Sequence, residues 1–263
     1  MQGQNLKFLK RLLLTLVVVF ILPPLVSAGL WISADRPQSY RDANWSSAGI
    51  LPRAGESRPA AIYVFSAMTG GLKGAVASHA WIVTKARDAA AYTRYDKLGW
   101  GTPIRRNSRA ADAYWYSNRP RLVAALHGES AERLIPKVEA AIAGYPHARP
   151  GDYRIYPGPN SNSFAAHVLR QVPELGAVLP PDAVGRDYLA GGQVFFADSD
   201  GRDYHLSLGG LAGINAGARS GLEINLFGLV FGVAPDLALK VPAFGMVRPW
   251  AGRRDAVTGM EQI

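Results

Sequence analysis

The hydrophobic pattern divides the chain before any motif does. Residues 12–32, LLLTLVVVFILPPLVSAGLWI, carry no charge and follow Lys7, Lys10 and Arg11. About 20 apolar residues span a bilayer, and a basic flank keeps its own side in the cytoplasm. Two readings fit. One is a signal anchor kinked at Pro23-Pro24, a break that membrane helices tolerate. The other is a cleaved signal peptide with an apolar stretch from Leu12 to Leu22 and a small-residue site at Val26-Ser27-Ala28. The run continues through Leu30, Trp31 and Ile32, which favours the anchor and sets Trp31 at the outer interface. The organisation expected is a basic n-region (1–11), a transmembrane anchor (12–32), a polar linker (33–58), one exported globular domain (59–252) and a disordered tail (253–263).

Beyond the linker the pattern alternates. AAIYVFSAM (60–68), VASHAWIVT (76–84) and AAYTRYD (90–96) read as an antiparallel meander, with His79, Trp81 and Val83 on one side of the second strand. DAYWYSNRP (112–120) is aromatic and irregular. Residues 130–143 predict a helix with Ser130 as N-cap, kinked or split at Pro136 and closed by Gly144. DYRIYPG (152–158) reads as a short strand leading into a helix over 161–172, whose core stripe is Phe164, Val168 and Val172. The last third reads as strands. In GLEINLFGLVFGV (221–233), Leu222, Ile224 and Leu226 face one side and Glu223 and Asn225 the other. Seven glycines between 204 and 232 suit bends and close backbone approach rather than helix. The apolar part from Leu226 to Ala234 is too short to span a bilayer and reads as core, or as an edge leaning on the membrane surface. Together these predict an α+β fold, an antiparallel sheet packed on a few helices behind one N-terminal transmembrane helix.

Composition narrows the chemistry. At 48% hydrophobic and 19% charged, the chain expects a packed core. The net charge of +9 is spread in scattered arginines and forms no nucleic-acid motif. Cysteine is absent, which excludes disulfides, thiolate metal sites and a cysteine nucleophile. The histidines lack metal-ligand spacing, and no phosphate loop or dinucleotide fingerprint is present. No metal and no cofactor is expected.

The strongest constellation joins His79 to Asn160-Ser161-Asn162-Ser163 at a helix start. A helix N-terminus offers free N–H groups and partial positive charge, suited to a nucleophile and a developing oxyanion. A strand histidine serves as general base. Asp96 is the best carboxylate to orient it, with Tyr92 and Arg94 as alternatives on the same strand. Asn160, Asn162, Ser163, Trp81 and Tyr156 are the candidate substrate-binding residues, with Asn162 and Ser163 expected to supply oxyanion donors. Serine and asparagine are also the preferred N-caps, so the cluster has a purely structural explanation as well.

The stretches YRDANWSSAGILP, SHAWIVTK, YDKLGWG, SNRPRLV, YPGPNSNSFAAHVLRQVPELG, LPPDAVGRDY and GLEINLFGLVFGVAPDLALKVP resemble the bacterial family called domain of unknown function 3750, over nearly the whole chain after residue 10. A more distant likeness is to permuted papain-like proteins of the lecithin:retinol acyltransferase type, which place a histidine strand before a helix opening N-C-x-x-F. NlpC-type cell-wall peptidases use the opposite order. Here His79 precedes N-S-N-S-F164, so Ser161 occupies the cysteine position. The likeness implies a permuted papain-like topology and Ser161 as nucleophile with His79 as base. The expected function is a serine-type hydrolase or acyltransferase acting on amide or ester bonds of cell-envelope material. The alternative is an inactive papain-like module that binds an envelope ligand or has a structural role. The expected setting is the bacterial inner membrane, crossed once, with lipid met through residues 12–32 and the C-terminal domain in the periplasm.

Overall fold

The computed structural model describes residues 2–249; the tail expected over 253–263 lies outside the described residues. The apolar N-terminal run forms α1 (Gln2–Leu16), a π turn (Val17–Ile21) and α2 (Leu22–Ser33). Pro23 and Pro24 have no N–H to donate, and the widened i→i+5 turn directly ahead of them is the usual accommodation. The stretch Gln4–Ser33 is long and apolar enough to cross a membrane.

A five-stranded antiparallel sheet follows, in the order β4-β3-β2-β1-β5. Its strands are β1 (Ala61–Met68), β2 (Ser78–Lys85), β3 (Thr93–Lys97), β4 (Ile104–Arg106) and β5 (Arg121–His127). β1 and β2 are nearly continuous apolar runs because both faces are covered. On one face Ile62, Val64, Ala80 and Ile82 pack with Leu134 and Val138 of α3 (Gly128–Ala143) and Phe164 and Val168 of α4 (Ser161–Gln171). On the other face Tyr63, Phe65, Trp81 and Val83 pack with Trp45, Ile50, Leu51 and Trp115. The connector 34–58 is therefore docked. Asp112 anchors it by accepting from Ser47 Oγ at 2.6 Å and from the Ile50 and Leu51 amides at 2.6 and 3.1 Å.

Three local expectations change. α3 starts at Gly128, straight out of β5, so Ser130 lies inside the helix instead of capping it. The same helix runs through Pro136 unbroken. Residues 152–158 form turns rather than a strand, with cis peptides at Tyr156-Pro157 and Gly158-Pro159.

The C-terminal third is a seven-stranded antiparallel meander in the order β12-β11-β10-β9-β8-β7-β6. Its strands are β6 (Phe195–Ala197), β7 (Asp203–Leu208), β8 (Ala212–Gly217), β9 (Gly221–Leu226), β10 (Leu229–Val233), β11 (Leu239–Val241) and β12 (Gly245–Val247). Its alternation is inverted. Asp203, His205, Ser207, Asn215, Glu223, Asn225 and Lys240 are buried, whereas Tyr204, Leu206, Leu208, Ile214, Leu222 and Ile224 are exposed. The buried face works only because its polar groups pair. Glu223 meets Arg186 at 2.5 Å and also Lys240; Asn215 bridges Asp187 at 2.7 Å and Glu223 at 2.9 Å. His205 reaches Asn215 and Asp198, each at 2.9 Å.

Two substitutions separate the real core from the exposed apolar face. Phe164→Ala removes a fully buried ring and should cost about 3–5 kcal/mol. Leu222→Ala, at a 58% exposed position, should change stability by less than about 0.5 kcal/mol. Denaturant unfolding in mild detergent measures both, and equal losses would contradict this assignment.

Candidate functional site

His79 sits near the start of β2 and Asp96 on the neighbouring β3, and the two meet through His79 Nε2 and Asp96 Oδ1 at 3.0 Å. Asp96 has no exposed surface. Arg94, two residues earlier on the same strand, clasps it with Nε at 2.7 Å and a terminal nitrogen at 2.8 Å. Burial alone would raise the Asp96 pKa, but the Arg94 charge and the hydrogen bonds from His79 and Arg94 outweigh it and hold the group at about 2. A carboxylate in that state accepts the Nε2 proton, which leaves Nδ1 of His79 as the unprotonated nitrogen. Burial lowers the His79 pKa, only partly opposed by Asp96, so the neutral ring is favoured.

The ring is clamped from the side as well. Trp115 stacks on it with centroids 3.8 Å apart and planes 5° from parallel. Trp45, from the connector, packs edge-on against Trp115 at 5.1 Å.

The helix start is bound to the same strand. Asn160 is the N-cap: its side-chain oxygen accepts from the amides of Asn162 at 2.9 Å and Ser163 at 3.0 Å. Ser163 completes the capping box by accepting from the Asn160 amide at 2.8 Å, and its hydroxyl also meets Tyr145 at 2.9 Å. Asn162 reaches sideways to β2, accepting from the Ala80 amide at 3.0 Å and donating to the Ser78 carbonyl at 2.8 Å. Gly185, at φ +95°, lies so close to the Asn160 amide that a Cβ there would overlap it. Asn160, Asn162 and Ser163 thus do the capping and tethering. Ser161, the first helical residue, takes no part in the cap.

His79 and Ser161 line one cavity of about 510 Å³, walled largely by aromatic groups including Trp100, Trp115, Tyr116, Tyr153 and Tyr156. This falls in the usual range of small-molecule sites. Among the described residues the His79 ring bonds through Nε2 to Asp96, and no hydrogen bond joins it to Ser161. Burial raises the Tyr153 pKa, opposed by hydrogen bonding with the Ser161 hydroxyl and backbone. Trp115 Nε1 is buried without a partner.

Of the residues singled out from sequence, Ser161, His79, Asn160, Asn162 and Tyr156 line the cavity, and Asp96 stands directly behind His79. Trp81 and Ser163 do not. Trp81 has no exposed surface and lies under the Arg94 guanidinium at 4.0 Å, while Ser163 is spent on the cap. The oxyanion donors expected at Asn162 and Ser163 are also not free, because both amides are committed to Asn160. Trp115 and Tyr153 were missed. The aromatic density of residues 112–120 was the one signal for Trp115, and Tyr153 sat in a stretch read as strand. No cluster of three His, Cys, Asp or Glu able to hold a metal ion occurs among the described residues.

Residues 59–188 match the family described as "Protein of unknown function (DUF3750)". The chain belongs to this family. The DUF3750 match takes in the five-stranded sheet, both packed helices and the whole cavity wall around His79 and Ser161. It is narrower than the resemblance expected from sequence: the N-terminal helix and the meander lie outside it. No curated protein and no solved structure matches the chain.

Capping and candidate chemistry are separable by substitution. Asn162→Ala strips partners from buried backbone groups of β2 and should cost at least about 2 kcal/mol. Ser161→Ala loses only the hydroxyl contact with Tyr153 at a buried position and should cost about 1 kcal/mol or less. Paired thermal melts decide, and a Ser161→Ala loss as large as that of Asn162→Ala would return Ser161 to a structural role.

Proposed function

We propose that this protein is a serine-type hydrolase or acyltransferase, tethered to a membrane by residues 12–32 and acting on an ester or amide of cell-envelope material. One observation carries the reading: Ser161 is excused from capping and shares a cavity with a histidine whose other nitrogen is held by a buried carboxylate. A serine hydroxyl needs such a base, because it is far less acidic than a thiol.

In the reaction, Ser161 Oγ attacks the substrate carbonyl as its proton passes to Nδ1 of His79. Asp96 holds the resulting imidazolium through Nε2. His79 then returns the proton to the departing alcohol or amine. The acyl group on Ser161 passes to water in a hydrolase or to a second alcohol or amine in an acyltransferase. With the Asn162 and Ser163 amides committed to Asn160, the groups beside Ser161 Oγ are its own amide and the Tyr153 hydroxyl, which pair with each other and would turn to an oxyanion only once substrate breaks that contact. The His-before-Ser order and N-S-N-S-F opening are those of the permuted papain-like arrangement, with serine for cysteine.

A second reading has its own support. Arg94 already compensates the charge of Asp96, which weakens the pull on an imidazolium, and this suits a pocket that binds an envelope ligand without turning it over.

A fluorophosphonate probe on the full-length protein discriminates. Labelling should occur in the parent and in Ser163→Ala and vanish in Ser161→Ala. An unlabelled parent would favour the binding module. The pH profile adds a check. Burial lowers the His79 pKa from its ordinary value of 6.5, so the neutral base survives below that value. The labelling rate should stay level down through pH 6.5 and fall only in more acidic solution. An acid limb centred above 6.5 would contradict His79 as the base.

A further inference from the structure

The inverted meander has a face of one chemical kind. Registered across five strands, Phe195, Leu206, Ile214, Ile224 and Phe231 form one row. A second row crosses all seven: Ala197, Tyr204, Ala216, Leu222, Val233, Leu239 and Val247. A third holds Leu208, Ala212, Leu226 and Leu229. No charged side chain stands in any row, and the Tyr204 hydroxyl is the sole side-chain hydrogen-bonding group. Seven strands at about 4.8 Å spacing make this face roughly 29 Å wide. A contiguous exposed apolar surface on that scale marks an interaction site.

The structure also indicates what covers it. Phe20 of the apolar helical run packs edge-on against Phe231, the end member of the first row, with centroids 6.3 Å apart. Phe20 lies about 18 Å along the helix axis from Ile32, at 1.5 Å per residue. A hydrocarbon layer about 30 Å thick around residues 12–32 therefore surrounds that contact, and what touches Phe20 shares its depth. A second copy would bring a polar rim and hydrogen bonds, for which these rows offer one hydroxyl. The charged groups of the meander outside its buried face, Asp200, Arg202, Arg219, Asp236 and Arg248, lie in its turns or beyond β12.

We propose that the apolar face of the meander, rows Phe195–Phe231 and Ala197–Val247, is a lipid-contacting surface beside the N-terminal helix in the same bilayer. The proposal rests on that helix spanning the membrane. The polar underside, with Glu223, Arg186 and Lys240 paired, then faces the rest of the protein, and the sheet is inside-out because its apolar side meets lipid rather than water. The hairpin turn Phe227-Gly228 reaches towards the cavity wall, where Gly228 lies against the Tyr156 ring. An immersed meander thus brings the cavity to the membrane surface.

The chain has no cysteine, so single cysteines report cleanly. Full-length protein in phosphatidylcholine–phosphatidylglycerol vesicles is labelled with an environment-sensitive fluorophore at Leu206→Cys, Ile214→Cys or Ile224→Cys. Val18→Cys in the helix and Arg202→Cys in a turn are the controls. Lipids carrying nitroxides on their acyl chains should quench most emission at the three sheet sites and at Val18→Cys, and little at Arg202→Cys. Quenching at Val18→Cys with sheet sites open to aqueous iodide overturns the proposal while sparing the anchor. Iodide access at all sites overturns both. Sheet sites shielded from nitroxide and iodide alike, and cross-linked between chains, would assign the face to a second copy and overturn it too.

Discussion

Asn162 is the constraint on which the candidate site depends. Its amide clips the first turn of α4 to the backbone of β2 at Ser78 and Ala80, on either side of His79. Helix and strand are 82 residues apart in sequence, and without a fixed join their ends would be set only by apolar packing. Packing is directional enough to hold Phe164 and Val168 in the core, but it does not specify register to a fraction of an ångström. A bidentate side-chain amide does. Asn160 and Ser163 complete the division of labour by satisfying the helix amides, so Ser161 is positioned without being spent on the cap, and Tyr153 is the group that meets it.

A second polar assembly does comparable work under the meander. Arg186, Glu223, Lys240, Asn215 and His205 form a layer in which nearly every group has a partner, and such layers are strongly destabilised by single deletions because the remaining charge is left buried. The layer also answers why polar residues point inward there. The outer face has taken most of the apolar positions, with Val230 an exception, and strand alternation leaves the inner face for the rest.

Much of this was legible in the sequence. The α+β class, the three-strand meander at 60–97, α4 with its Phe164–Val168–Val172 stripe and the pairing of Asp96 with His79 all follow from periodicity, order and reach. The illegible parts have physical causes. Alternation in GLEINLFGLVFGV identifies two faces but carries no label for which is solvent, and the usual assumption puts Leu222 inward. Ser130 looked like a cap because serine prefers that position, yet Gly128 turns β5 into α3 two residues sooner. Trp115 could not be matched to His79 because an irregular segment has no period from which direction can be read. The amides of Asn162 and Ser163 looked free, since sequence shows a helix start but not which neighbour occupies it.

The connector between helix and domain has a geometric consequence. A loose chain of its length would let a domain sweep a volume roughly 25–30 Å in radius, as a flexible coil of some 25 residues does. Here Trp45 is wedged against Trp115, Asp112 holds the backbone at Ile50 and Leu51, and Ser27 of the helix donates to the Ala75 carbonyl at 2.5 Å. The leash has been shortened to nothing. The cavity therefore stays at one height above whatever the helix is seated in, and its field of work is a plane rather than a sphere.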